Sequence, residues 1–225
     1  MIVQGLLAGA AHVMTGPDHL AGVAPLAVGA PRRLRPSAIG ALWGLGHGLG
    51  VALLGLLGQT ALSFTDVEIA SGWAERLVGV VLIVIGLTAL RRARGLVVHD
   101  HAHSHGEGEH VHLHVHHPEH RHDGDAHGPA APPHGHRHAA FGVGVLHGLA
   151  GAGHFWAVIP SLAMAPPDAA VFIGSYLAAS VAIMTGFGGA IGWLVRSCGD
   201  RAVPRLMVAV GTVSIVVGIA WLVSC

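Results

Sequence analysis

Long apolar stretches almost free of charged side chains are the feature that most constrains this chain. A membrane-spanning helix needs about 20 predominantly apolar residues. Charged residues make up 11% of the sequence and hydrophobic residues 52%, whereas a soluble domain carries roughly 25% charged residues. The sequence therefore predicts an all-α integral membrane protein. Its six transmembrane helices are expected within about 2–30, 38–62, 73–90, 139–165, 169–195 and 202–224.

The arginines are distributed unevenly between the predicted loops. Eleven of the twelve lie in the loops after the first, third and fifth spans, and Arg76 alone lies on the other side. Excess arginine marks the cytoplasmic side of a membrane protein, so we expect both termini outside and a plasma (inner) membrane location. The formal net charge is zero, which gives no basic face for a nucleic-acid partner. The spans leave no room for a separate soluble enzyme domain, so we expect no enzyme.

Residues 99–138 differ in composition from the rest of the chain, because they hold 15 of the 20 histidines among Asp, Glu, Gly and Pro. Such a segment cannot bury a core, so we expect a disordered cytoplasmic insert. It separates two membrane segments, 1–98 and 139–225. Its alternating histidines are typical of weak, exchangeable transition-metal binding; a pH sensor or a plain solvated linker are the alternatives. The candidate loop ligands are His101, His103, His105, His112, His114 and His116.

The two membrane segments resemble each other. GLLAGAAHVMTGPDHL aligns with FGVGVLHGLAGAGHFW, so that His12 and His19 fall on His147 and His154 at an offset of 135. VGVVLIVIGLTAL from Val78 aligns with VGTVSIVVGIAWL at an offset of 132. Because each half has three spans, an odd number, the sequence predicts two inverted three-helix repeats. Inverted repeats are typical of transporters, which bind substrate near the midplane at interrupted helices.

All five histidines outside the insert lie in predicted spans. Ionisable residues in a membrane segment are expensive and point to a functional site. Gly16-Pro17 interrupts the first span, because proline breaks a helix interior and suits the first position of a new helix. An unwound turn near 13–17 can fold the side chains on either side of it together. We therefore expect a primary divalent-metal site formed by His12, Asp18, His19 and His47. We expect a second, weaker site formed by His147 and His154.

The donor types restrict the metal. Imidazoles with one carboxylate and no thiolate suit Ni²⁺, Co²⁺ or Zn²⁺ and disfavour Cu⁺. We expect the metal to be a transported substrate, with no organic cofactor. The lipid bilayer is the other expected partner, a cytoplasmic metal acceptor is possible, and the oligomeric state is open.

These residues resemble those of a known family. His12-Val-Met-Thr-Gly-Pro-Asp18-His19 resembles the HxxxxDH signature of nickel/cobalt transporters of the NiCoT type, although its spacing is one residue longer and an acid before the DH pair is absent. Gly46-His47-Gly48 resembles the Gly-His motif of the next helix in that family, and HGLAGAGH at 147–154 resembles short six-span nickel permeases or urease-accessory membrane proteins. The resemblance implies passage of Ni²⁺ or Co²⁺ with His12, Asp18, His19 and His47 as ligands. The insert is similar to the loop of exporters in the same superfamily, so the direction stays open.

Other classes of protein also use histidines in apolar helices. A haem-binding membrane electron carrier would use them as axial ligands. A membrane metallohydrolase would use a His/Asp zinc site to activate water. A metal exporter or a Zn²⁺ transporter of the same fold is a further alternative.

Overall fold

The computed structural model describes residues 1–30, 34–60, 64–95, 97–104, 109–116, 134–150, 160–161 and 163–224. These residues form seven α-helices, one short 3-10 helix and one β-hairpin. The elements in chain order are α1 (Ile2–Thr15), α2 (Pro17–Val28), α3 (Pro36–Thr60), α4 (Phe64–Gly95), β1 (Val97–Ser104), β2 (Glu109–His116), α5 (His134–Leu149), α6 (Pro166–Cys198), the 3-10 helix Asp200–Ala202 and α7 (Val203–Ser224).

The membrane prediction is confirmed at the level of apolar helices. Within the described ranges, three helical segments are long and apolar enough to cross a membrane, namely Gly72–Arg94 of α4, Pro166–Cys198 and Val203–Ser224. α1 is apolar but has only 14 residues, because the first predicted span is divided into α1 and α2. Six full spans are therefore not established by length and hydropathy, and the six-span arrangement stays a prediction.

Close helix contacts in this bundle depend on glycine. A Cβ atom on Gly5 would overlap the Phe172 carbonyl oxygen, so α1 lies directly on the backbone of α6. A Cβ atom on Gly40 of α3 would likewise overlap the Met184 carbonyl oxygen of α6. Small residues allow helix backbones to approach in this way, and such interfaces are typical of membrane helices.

Helices α4 and α7 pack against each other in a reciprocal manner. Gly79 faces the Gly218 carbonyl, and Gly86 faces the Gly211 carbonyl, so the two helices run antiparallel. At the centre of the crossing, the Ser214 hydroxyl donates a 2.7 Å hydrogen bond to the Leu82 carbonyl, across a separation of 132 residues. That separation equals the offset of the third-span repeat in the sequence.

The histidine-rich insert contains a β-hairpin where the sequence predicted no regular structure. β1 and β2 pair antiparallel, with His101 opposite His112 and His103 opposite His110. The physical reason is the alternation of histidine with other residues in HVHLHVH, because a period of two is typical of a strand. The hairpin lies between the two groups of helices in chain order.

Candidate metal centre

The predicted interruption of the first span is confirmed. α1 ends at Thr15 and α2 begins at Pro17, with Gly16 between them in an extended conformation (φ −82°, ψ 106°). Pro17 occupies the first turn of α2, where its missing N–H costs no helical hydrogen bond. A Cβ atom on Gly16 would overlap His19 Nδ1 and Asp18 Oδ1, so the turn is packed directly against the side chains that follow it.

This turn brings two histidines together that a straight helix would hold about 10.5 Å apart, at 1.5 Å per residue. The ring centroids of His12 and His19 lie 4.8 Å apart with nearly perpendicular planes. His47, from α3, lies 5.4 Å from His12 and 5.1 Å from His19 by the same measure. One ligand atom from each of these three histidines lies within 4.8 Å of the other two.

The separation of these three ligand atoms is close to what a bound ion requires. Two imidazole nitrogens on one ion, each about 2.0–2.1 Å from it, stand about 3.3 Å apart in tetrahedral geometry. An inward movement of roughly 1 Å by each ring would therefore suffice. His19 and His47 are fully buried at 1% and 0% exposure, whereas His12 is partly exposed. We call His12, His19 and His47 the imidazole triad.

Asp18 joins the triad to a fourth buried histidine. Its Oδ1 lies 3.3 Å from His19 Nδ1, and its Oδ2 lies 3.2 Å from His147 Nε2. The carboxylate is only 5% exposed and His147 is fully buried. Asp18, His19 and His147 form a second group with the spacing of metal ligands, and this group shares His19 with the imidazole triad.

The two ring nitrogens of His19 have different surroundings. Nδ1 lies 3.3 Å from both the Gly16 carbonyl oxygen and Asp18 Oδ1. Nε2 is buried and has no hydrogen-bond partner among the described residues. A histidine that ligates a metal commonly donates its other ring N–H to a carbonyl or carboxylate, which fixes its orientation and tautomer. His19 is therefore arranged to offer Nε2 to an ion.

His147 reaches this site because α3 and α5 pack backbone to backbone. A Cβ atom on Gly148 would overlap the His47 carbonyl, and one on Gly144 would overlap the Trp43 carbonyl. The sequence analysis paired His147 with His154 in a separate, weaker site. The structure instead places His147 against Asp18, while His154 lies outside the described residues. The sequence did contain a signal for this position of His147, because the repeat offset of 135 makes it the equivalent of His12. An inverted repeat brings equivalent helices together near the midplane.

The histidines proposed as loop ligands lie outside the residues whose side chains the structure describes. His101, His103, His112, His114 and His116 belong to the hairpin strands, where the structure describes the backbone. His105 lies outside the described residues. The cluster therefore consists of His12 from α1, Asp18 and His19 from α2, His47 from α3 and His147 from α5.

The geometry also bears on the haem alternative. Two axial imidazoles on one haem iron face each other across the plane of the macrocycle. Here His47 lies 5.5 Å from His147, and His19 lies 4.7 Å from His147, by ring centroids. The His47 ring has the His12, His19 and His147 rings within 5.5 Å, so a macrocycle extending sideways between any two of them would meet a third ring, and the arrangement favours a small ion.

Two named proteins of Arabidopsis thaliana are similar to part of this chain. Chloroplast protein FOR GROWTH AND FERTILITY 1 is 40% identical over 89 residues, and Chloroplast protein FOR GROWTH AND FERTILITY 2 is 42% identical over 89 residues. In each case the match covers 40% of this chain and 24% of the relative. No family model matches the chain. No solved structure matches it either.

These relatives overturn the resemblance to nickel/cobalt transporters, which is wrong. The descriptive terms taken from that family, such as nickel, cobalt and inner membrane, lose their support with it, because the relatives found are named as chloroplast growth and fertility proteins. The physical reason is that a short His/Asp motif reports which ligands a metal prefers and does not report the ancestry of the chain. Borderline metals favour imidazole and carboxylate donors, and transporters of different folds place such donors near helix breaks.

Proposed function

We propose that this chain binds a divalent transition-metal cation in the buried cluster of histidines and Asp18, and that it conducts this ion across a membrane. The observation that carries the proposal is the convergence of four imidazoles and one carboxylate from four helices in an apolar bundle. The proposal rests on these residues and on no property of the relatives.

The cost of this arrangement supports a function. Burying polar and ionisable groups without full compensation costs several kcal/mol, and polar contacts between membrane helices return only about 0.6–2 kcal/mol each. A structural role could account for one buried histidine. Four histidines around a buried acid are better explained by an ion that draws on their lone pairs and on the negative charge.

The donor set favours borderline divalent ions. Three imidazoles of the triad, supported by a carboxylate, suit Zn²⁺, Co²⁺ or Ni²⁺, and the absence of a thiolate from the cluster disfavours Cu⁺. Asp18 contacts two of the histidines. Its charge therefore offsets part of the ion's charge, while its oxygens orient His19 and His147.

Helix contacts support the finer prediction of six spans in two inverted repeats. Gly79 contacts Gly218, and Gly86 contacts Gly211. At the repeat offset of 132, Gly79 is equivalent to Gly211 and Gly218 is equivalent to Gly86, so each of the two contacts is the repeat copy of the other. Only a twofold axis perpendicular to two antiparallel helices relates contacts in this way. In a membrane such an axis lies in the plane of the bilayer. It favours the topology in which 1–98 and 139–225 are inverted copies.

The same symmetry supports passage across the membrane. Inverted repeats place a substrate site near the midplane and expose it alternately to each side by rocking one element against another. The cluster draws residues from both repeats, with His147 from the second half held against Asp18 from the first. The identity of the membrane and the orientation of the termini stay predictions, since the word chloroplast belongs to the names of the two relatives.

The test combines binding and flux. Purified full-length protein is titrated with Zn²⁺, Co²⁺ and Ni²⁺ by calorimetry, and the same preparation is placed in liposomes that contain a metal-sensitive dye. We expect one ion per chain and metal-dependent dye signal. His147→Asn should weaken both. Asp168→Asn, at an exposed acid in the first turn of α6, serves as the control and should change neither. Absence of stoichiometric binding by the unmodified protein would refute the proposal.

A further inference from the structure

Two aromatic residues occupy matching positions at the two ends of the cluster. The Tyr176 ring of α6 lies 5.8 Å from the His12 ring, and the Trp43 ring of α3 lies 5.9 Å from the His147 ring. His12 and His147 are equivalent residues of the two repeats at an offset of 135. At each end a histidine therefore lies beside an aromatic side chain of another helix, and at the His147 end Trp221 of α7 also lies 6.0 Å away.

The backbones confirm that the two aromatic positions correspond. A Cβ atom on Gly9 would overlap the Tyr176 carbonyl, and a Cβ atom on Gly144 would overlap the Trp43 carbonyl. Gly9 and Gly144 are 135 positions apart, and Trp43 and Tyr176 are 133 apart. No alignment of letters reveals this equivalence, because tyrosine and tryptophan share no motif here. The glycine contacts identify it.

Both aromatic side chains carry a buried polar atom. Tyr176 is 1% exposed and Trp43 is 0% exposed, and neither the Tyr176 hydroxyl nor Trp43 Nε1 has a hydrogen-bond partner among the described residues. Buried tyrosine hydroxyls and tryptophan N–H groups usually find a partner, since an unmade bond costs about 1–3 kcal/mol. Two such atoms at equivalent positions beside the same cluster indicate a shared role.

The chemistry of the pair defines that role. An indole N–H only donates a hydrogen bond, and a tyrosine hydroxyl donates or accepts. Trp43 therefore cannot ligate a cation, and the function the two can share is donation of a hydrogen bond. Three protein ligands leave a further position on an ion, which water commonly fills. That water is an oxygen acceptor which travels with the ion.

We propose that Tyr176 and Trp43 are equivalent positioning residues that donate hydrogen bonds to water on the bound ion, Tyr176 beside His12 and Trp43 beside His147. The inference rests on the proposed function. His12 is partly exposed whereas His147 is fully buried, so in this conformation the Tyr176 end of the cluster is the more open of the two. Tyr176 then holds the hydrated ion where it arrives, and Trp43 takes the same role at the opposite end.

Tyr176→Phe is the decisive variant because it removes the hydroxyl alone. Ser180→Ala is its matched control, since Ser180 is a buried hydroxyl one turn away that already donates to the Tyr176 carbonyl at 2.9 Å. Full-length protein in detergent is titrated with Co²⁺, whose visible absorption reports the number and arrangement of its ligands. We expect Tyr176→Phe to weaken Co²⁺ binding about 10-fold, as outer-shell partners do, and to shift the spectrum of the bound ion. Ser180→Ala should leave the spectrum unchanged.

Trp43→Phe provides the second arm. Trp43 packs against Gly22, so this variant is judged on its spectrum together with its thermal unfolding, and a folded protein should show a shift in the Co²⁺ spectrum. Tyr176→Phe decides by itself if Trp43→Phe does not fold. An unmodified protein that binds no Co²⁺ would overturn both this inference and the proposed function. An unmodified protein that binds Co²⁺ while Tyr176→Phe keeps its affinity and spectrum would overturn this inference alone.

Discussion

Asp18→Asn tests how much of the cluster's affinity depends on one negative charge. The substitution keeps the shape of the side chain and removes the charge. In the native protein the two carboxylate oxygens lie 3.3 Å from His19 Nδ1 and 3.2 Å from His147 Nε2. An amide can accept from one of these rings and donate to the other, if the second ring changes tautomer. The packing therefore survives, and the change isolates the electrostatic contribution.

The magnitude follows from these contacts. Hydrogen bonds that involve a charged group contribute about 1.5–3 kcal/mol, against about 0.5–1.5 kcal/mol for neutral ones. Two contacts converted from charged to neutral lose roughly 2–3 kcal/mol in the metal-bound state, in which the histidines donate to the carboxylate. The metal-free protein loses part of the same contacts, so this figure is an upper bound for the loss of binding free energy. At 1.4 kcal/mol per tenfold change in Kd, binding should weaken by at most about 30- to 140-fold. Flux should fall correspondingly at metal concentrations below saturation.

The assay is calorimetric titration with Zn²⁺, followed by uptake into liposomes at matched protein density. Asp168→Asn is the control, because it makes the same chemical change at an exposed acid in the first turn of α6. We expect Asp168→Asn to lie within twofold of the unmodified protein. If Asp18→Asn also lies within twofold, the carboxylate does not support the metal ligands and the electrostatic reasoning is refuted.

Three further changes test other parts of the structure. Gly16→Ala should weaken metal binding at least 10-fold, because its Cβ would displace His19 and Asp18. Gly174→Ala is the control, since no atom lies within 4 Å of the added Cβ, and it should bind metal normally in the same titration. Gly148→Ala should separate α5 from α3 and destabilise the bundle by roughly 1–3 kcal/mol, with Gly142→Ala on α5 as the unhindered control; equal unfolding midpoints for the two variants would contradict the close contact. Replacing the histidines of 97–116 by serine should lower apparent affinity in uptake assays yet keep the maximal rate, and loss of the maximal rate would place the essential site in the insert.

The broken helix and the ligands around it were readable from the sequence because local chemistry determines them. Proline is disfavoured in a helix interior and suits the first turn of a new helix, and Gly16 leaves room for the side chains packed against the turn. His12, Asp18 and His19 then lie on the two sides of one break. The prediction needed no long-range information. The structure places the His12 and His19 rings 4.8 Å apart and Asp18 against His19, while Asp18 groups with His147 and not with His12.

The partner of Asp18 was harder to predict because it depends on how two repeats pack. The sequence gives the equivalence of His12 and His147 but not which elements of the two halves meet. Gly144 and Gly148 place α5 on the backbone of α3, and this contact brings His147 to the carboxylate. The roles of Trp43 and Tyr176 were missed for the same reason, since buried aromatics in apolar helices resemble ordinary core residues until their polar atoms are traced.

The asymmetry of the cluster suits passage of an ion better than its storage. The repeat preserves both histidine positions, but Gly153 stands at the position equivalent to Asp18, so the sequence places one carboxylate rather than two in this part of the chain. A second carboxylate would neutralise a divalent ion fully and hold it tightly. With one, the occupied cluster keeps a net positive charge. Conduction requires binding that is strong enough to attract the ion and weak enough to release it, and under the proposed function a single buried acid between histidines of both repeats would provide this balance.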